Sequence, residues 1–134
     1  MRTLHVIIET APQNYAAYIE EIDGIAVTGA TIEDVKSSIQ EALSFFLDTA
    51  KEDGDEIPEV LQGDYELEYH IDVKTFLEIY SCYFTKAGLE RLTGVNQKQL
   101  WHYANGNTAP RKKQRERIET AIHKLGRDLM SFCF

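Results

Sequence analysis

The sequence predicts an α+β protein in two parts: a small β-β-β-α-β two-layer domain over residues 1–70 and an all-α domain over residues 71–134. Three observations predict it. Apolar residues alternate at strand period through most of the first half, around one long helical stripe, and recur only at helical period in the second. Charge divides at the same point. Residues 1–70 hold 3 Lys/Arg and 16 Asp/Glu, a net of −13, whereas residues 71–134 hold 11 and 6, a net of +5. Third, Phe84–Gly106 reads as two short helices joined by a tight turn at Thr93-Gly94-Val95.

In the first half, Arg2–Glu9 is rich in β-formers, with Leu4, Val6 and Ile8 on one face and His5 and Ile7 on the other. Apolar residues on both faces predict a central strand. Ala11-Pro12-Gln13-Asn14 is turn chemistry, so Tyr15–Glu20 completes a hairpin. Asp23-Gly24 marks the next turn, and Ile25–Thr28 a third short strand ended by Gly29. Thr31 then starts a helix, with Asp34 three residues on as in a capping box. Ile32, Val35, Ile39, Ala42, Leu43 and Phe46 form its apolar stripe, and it stops before Asp53-Gly54-Asp55. Tyr65, Leu67, Tyr69 and Ile71 alternate with Glu66, Glu68 and His70, giving a fourth strand.

In the second half, Asp72 caps a helix through Val73–Tyr80, and Thr85 caps another over Lys86–Leu92. Gly94 takes the left-handed conformation that ends a helix, and Val95 plugs the corner. Asn96 starts the third helix, with Leu100 and Tyr103 facing the core, and Asn105-Gly106-Asn107 ends it. Pro110 stands near the first turn of a fourth helix whose stripe is Ile118, Ala121, Ile122 and Leu125. Gly126 interrupts it, and Leu129, Met130, Phe132 and Phe134 serve core packing or a dimer seam. Trp101 either packs partly against the fourth helix or stacks on sugar or base.

Composition narrows the function classes. No apolar run approaches the roughly 18 residues of a membrane span, and MRTLHVIIET turns polar too soon for a secretory signal, so a cytoplasmic protein is expected. Cys82 and Cys133 lack metal-binding spacing and read as reduced, partly buried residues. The four histidines are scattered, so no metal site is expected, and no cofactor. Most acids fall on a helix surface or in loops, and no Asp sits on a strand of the first half. A nuclease metal pair needs carboxylates converging from rigid elements. A solvated acidic face is therefore expected rather than an enzyme, and only Glu66 and Glu68 are candidates for a catalytic pair. The charge split suggests a cationic partner for one half and an anionic partner for the other.

Glu21–Val35 resembles the signature of HicB-family antitoxins, in which a G-x-T-x-E-E pattern precedes the helix. Gly29, Thr31, Glu33 and Asp34 match it, and the acidic loop Glu52–Pro58 resembles the family's loop ending in Ile-Pro. The proline and cysteine that many members place around positions 24–26 are missing. The resemblance covers about residues 2–70. It implies a partial RNase-H-like fold without nuclease activity that covers a small, basic ribonuclease toxin of the HicA type. Tyr15, Tyr18, Glu20, Glu21 and Asp23 are the candidate toxin contacts, chosen by exposure and charge.

Thr85–Val95, Asn96–Gly106 and Pro110 resemble the lambda-repressor/Cro-type helix-turn-helix family, with Leu92 and Thr93 in a shifted context and Ala104 where the family often has Glu. That resemblance implies a second helix in the major groove. Gln97, Lys98 and His102 are the candidate base readers, and Gln99 meets base or phosphate. Thr85, Lys86, Asn107, Thr108, Arg111, Lys112 and Lys113 are the candidate phosphate contacts. The expected protein is an antitoxin that binds its toxin and represses its own operon, as a homodimer or higher oligomer. The alternative is a stand-alone regulator whose first domain dimerises or senses a ligand, and a third possibility is a degenerate RNase-H-like nuclease.

Overall fold

The computed structural model describes residues Met1–Phe134 and is an α+β protein with one four-stranded sheet and five α-helices. Its chain divides into two compact units, Met1–Ile71 and Asp72–Phe134. No helix is long and apolar enough to cross a membrane.

In the first unit the strands are β1 (Arg2–Thr10), β2 (Tyr15–Ile19), β3 (Ala26–Gly29) and β4 (Tyr65–His70), in the order β3-β2-β1-β4. The hairpin pairs Val6 with Ile19 and Thr10 with Tyr15, and β3 runs antiparallel to β2. Strand β1 also pairs β4 in parallel, placing His5 beside Glu68 and Ile7 beside His70. The central place expected for β1 follows from its apolar residues on both faces.

One sheet face is covered by α1 (Ile32–Glu52). Leu4, Val6 and Ile8 of β1 and Ala17 and Ile19 of β2 meet Val35, Ile39 and Leu43 there, all 3 % exposed or less. Each Leu, Val or Ile among them contributes roughly 1.5–3 kcal/mol of transfer free energy. Thr31 caps α1 by accepting the Asp34 amide at 3.0 Å, and Glu33 and Asp34 lie at its positive end. Between α1 and β4 the sequence reading missed a short 3-10 turn, Glu59–Leu61, which drops Leu61 into the core. Three residues are too few to show a period. At the free edge, Tyr69 reaches α1, with its hydroxyl 3.1 Å from Gln40 Nε2 and its ring 4.7 Å from Lys36 Nζ.

The second unit contains α2 (Val73–Tyr80), α3 (Lys86–Thr93), α4 (Gln97–Ala104) and α5 (Lys112–Met130). Leu77, Leu89, Val95, Leu100, Tyr103 and Ile118 form its buried centre. Three sequence expectations are corrected. Helix α5 runs through Gly126 without a break, because one glycine costs only about 1 kcal/mol inside a 19-residue helix. Pro110 lies ahead of the cap residue Arg111 rather than in the first turn. Both cysteines are free and exposed, not partly buried.

At Gly29 the end of β3 approaches α1 closely: an added Cβ would lie 3.0 Å from both the Val35 amide nitrogen and Cγ2. Backbone cannot swing aside as a side-chain tip can. Gly29→Ala is therefore expected to destabilise the first unit by about 1–3 kcal/mol, read by urea denaturation followed by far-UV circular dichroism. Unchanged stability would show that α1 is free to shift.

Candidate nucleic-acid interface

Helices α3 and α4 are held in a fixed relation by the turn between them. Thr85 caps α3 by accepting the Gly88 amide at 2.9 Å. At the other end Gly94 takes φ +76°, and its amide closes onto the Glu90 carbonyl at 2.7 Å. Thr93 is buried. Its hydroxyl donates to the Leu89 carbonyl at 2.7 Å and accepts the Val95 amide at 3.1 Å, so the turn carries its own hydrogen bonds. Val95 then fills the corner, 2 % exposed. Asn96 caps α4 by accepting the Lys98 amide at 2.8 Å.

With Leu100 and Tyr103 buried, helical periodicity turns Lys98, Trp101, His102 and Asn105 to the opposite side of α4. Lys98 and Asn105 are exposed, and Trp101 is 51 % exposed, with its ring edge-on to His102 at 5.2 Å. Half of the Trp101 surface is thus open and half covered. His102 is half-buried, and its Nδ1 lies 3.2 Å from Asn107 Nδ2. Gln97 is exposed but donates to Glu90 Oε2 at 2.9 Å, so it must release that contact to read a base. Gln99 is half-buried and sits at the flank rather than at the centre of the open side.

The candidate phosphate contacts divide between helix starts and a loop. Lys86 occupies the first turn of α3, half-buried, and the Thr85 hydroxyl is already engaged as the cap. Asn107 and Thr108 are exposed in the loop before α5. Arg111 is the α5 cap residue but makes no side-chain cap bond, and Lys112 and Lys113 follow it, all exposed. Lys112 reaches Glu116 only at 4.0 Å, an exposed pair worth little.

These positions reverse the usual placement of charge. A helix start carries about half a positive charge and favours acids. Helix α1 obeys, with Glu33 and Asp34 in its first turn. Helices α3, α4 and α5 have no acid in their first turns and carry Lys86, Lys98, Lys112 and Lys113 there. Cations beside free amides repel one another in the absence of an anion and together attract one. Arg117 adds to this region, since its guanidinium lies against Gly94, where a Cβ would meet Nη2 at 2.5 Å.

In the first unit the five candidate toxin contacts differ in availability. Tyr15 packs partly against the core, whereas Tyr18 is 40 % exposed. Glu20 and Asp23 are exposed, but Glu21 is engaged: its carboxylate accepts the His5 amide at 2.7 Å and meets His5 Nδ1 at 2.5 Å. The hydrogen bond to Glu21 holds the His5 imidazole above its ordinary pKa. Burial pushes the Glu21 carboxyl up, but its hydrogen bonds with His5 outweigh that and leave it below the usual carboxylate range. Glu66 accepts from the Thr3 hydroxyl at 3.2 Å, while Glu68 Oε1 lies 2.8 Å from His70 Nε2. Glu66 and Glu68 are thus each engaged with a different neighbour. Sequence spacing missed the cluster of His5, Glu68 and His70, because strand pairing joins residues more than sixty positions apart. The signal was present in part: Glu68 and His70 stand two apart on one face of β4.

Two outcomes follow. Gly94→Ala forces a side chain into the left-handed region and is expected to cost about 1–2 kcal/mol, read by urea denaturation followed through Trp101, the only tryptophan. Lys113→Glu restores the usual charge at a helix start. It is expected to stabilise the second unit by up to about 1 kcal/mol at low salt, and a loss of stability would contradict the reading of this helix start as lacking its favoured charge. No protein-family model matches this chain, and no curated protein matches it.

Proposed function

We propose that this protein is an antitoxin of the HicB type that also binds DNA, its first unit a partial RNase-H-like domain and its second a helix-turn-helix domain. The observation that carries the DNA half is the run of cations at the starts of α3, α4 and α5, with an open α4 side bearing Lys98, Trp101 and His102. Lys98 suits a guanine edge, and Trp101 offers a face for stacking on sugar or base. Lys86, Arg111, Lys112 and Lys113 neutralise phosphates, which position the protein without reading sequence. The proposed operator lies upstream of its own gene.

The antitoxin half rests on the Gly29–Asp34 signature and on charge. A net of −13 in residues 1–70 complements a small basic ribonuclease and speeds its encounter. Gly29 and Thr31 of that signature have physical work in the fold: one permits the close approach to Val35, the other caps α1. Tyr18, Glu20 and Asp23 are the freest of the proposed toxin contacts. Leu129, Met130, Phe132 and Phe134, all more than 60 % exposed, are the proposed seam of a homodimer that would pair two operator half-sites.

A stand-alone regulator is the second reading, and the polar sheet face bearing His5, Glu68 and His70 favours it as a place for a small ligand. Co-expression separates the two. The antitoxin reading expects rescue of growth when a small basic reading frame beside the gene is induced, and no rescue would sink it. For DNA, Lys98→Ala is expected to lose preference for the upstream region by about 1–3 kcal/mol, whereas Lys112→Ala weakens specific and random duplexes alike. A gel shift with both duplexes checks this, and equal losses for both variants would overturn the assignment of Lys98.

A further inference from the structure

The sheet face opposite α1 carries a cluster that the DNA and toxin readings leave unused. His5 stands on β1, and Glu68 and His70 stand on β4, whose parallel register sets His5 beside Glu68 and Ile7 beside His70. One potential ligand atom from each of His5, Glu68 and His70 falls within 4.8 Å of the others. The two imidazole rings face each other at 5.4 Å between centroids, tilted by 42°. His70 Nε2 and Glu68 Oε1 are already 2.8 Å apart.

We propose that His5, Glu68 and His70 bind a divalent transition-metal ion of the zinc class. Two imidazoles and one carboxylate are donors that such ions accept, and three protein ligands leave one position for water. Donor atoms about 2.0–2.2 Å from such an ion lie about 3.3 Å from one another. Ligand atoms within 4.8 Å of one another would have to close by about 1.5 Å to reach that geometry, a gap within the range of side-chain torsions. The backbone beneath is rigid, because β1 is hydrogen-bonded on both sides. Glu21 would supply the outer partner of a metal-bound histidine: it takes His5 Nδ1, which leaves Nε2 as the nitrogen free for an ion. Glu21 is therefore a positioning residue. A second grouping, His5 with Glu20 and Glu21, shares His5 but offers only one imidazole. The pair of imidazoles favours the first grouping for this class of ion.

The test uses the full chain with Cys82→Ser and Cys133→Ser, which removes two exposed thiols that would compete for the ion. Calorimetric titration with zinc chloride is expected to give one ion per chain. Cobalt(II) is expected to give the visible absorption of a four-coordinate nitrogen and oxygen site. His70→Ala and Glu68→Gln should each weaken binding by more than about ten-fold, and Glu21→Gln should shift the cobalt bands while keeping one ion bound. Glu66→Gln, on the same strand face but paired to Thr3, should leave affinity within about two-fold. Circular dichroism confirms that each variant is folded, and Glu68→Gln keeps the question answerable if His70→Ala is not. Absence of a one-to-one isotherm overturns the proposal. So does equal weakening by Glu66→Gln and Glu68→Gln, which would mean diffuse attraction to an acidic face. The site is independent of whether the second unit binds DNA.

Discussion

A helix start leaves its first amides unpaired and carries positive potential, and that constraint bears most directly on the second unit. Stability alone would place acids there, as α1 does with Glu33 and Asp34. Helices α3, α4 and α5 place lysines there instead. The arrangement forgoes a few tenths of a kcal/mol to about 1 kcal/mol per charge, which the proposed phosphate contacts would offset. The turn at Thr93-Gly94-Val95 is subordinate to the same end. It fixes α4 relative to α3 so that burial of Leu100 and Tyr103 leaves Lys98 and Trp101 outward.

The first unit depends on a different constraint, the coverage of one sheet face by one helix. Leu4, Val6 and Ile8 are buried against α1, and alternation sends His5 and Ile7 to the other face. That face has no helix of its own within the unit, so polar and charged residues populate it. Their neighbours are set by strand register rather than by sequence spacing. The parallel β1–β4 pairing is what makes His5, Glu68 and His70 a group at all. The net charge of −13 in residues 1–70 is what both proposed cationic partners of this unit, a basic protein and a metal ion, would meet.

Element type and order were legible because local signals agreed. Alternation in Tyr65–Ile71, the stripe from Ile32 to Phe46 and the caps at Thr31, Asp72, Thr85 and Asn96 all point to the elements they form. The illegible parts are those where a distant contact decides. Leu61 enters the core through a three-residue turn with no period to detect. Helix α5 continues past Gly126 because the surrounding residues carry it. Gln97 was chosen as a base reader by its place in a motif, and only the folded chain shows its amide held by Glu90. Thr93, an oddity in the motif, has a plain reason in three dimensions: its hydroxyl satisfies both Leu89 and Val95. The histidines are scattered in sequence, and pairing across more than sixty residues brings two of them together.

In the proposed function the helix starts of the second unit neutralise DNA phosphates. The most direct measurement is fluorescence anisotropy of a labelled duplex from upstream of the gene, titrated with the protein at several salt concentrations. The expected result is a steep linear fall of log affinity with log salt, and a slope shallower by about one for Lys113→Gln. Binding insensitive to salt, or the same slope for Lys113→Gln as for the parent protein, would contradict it.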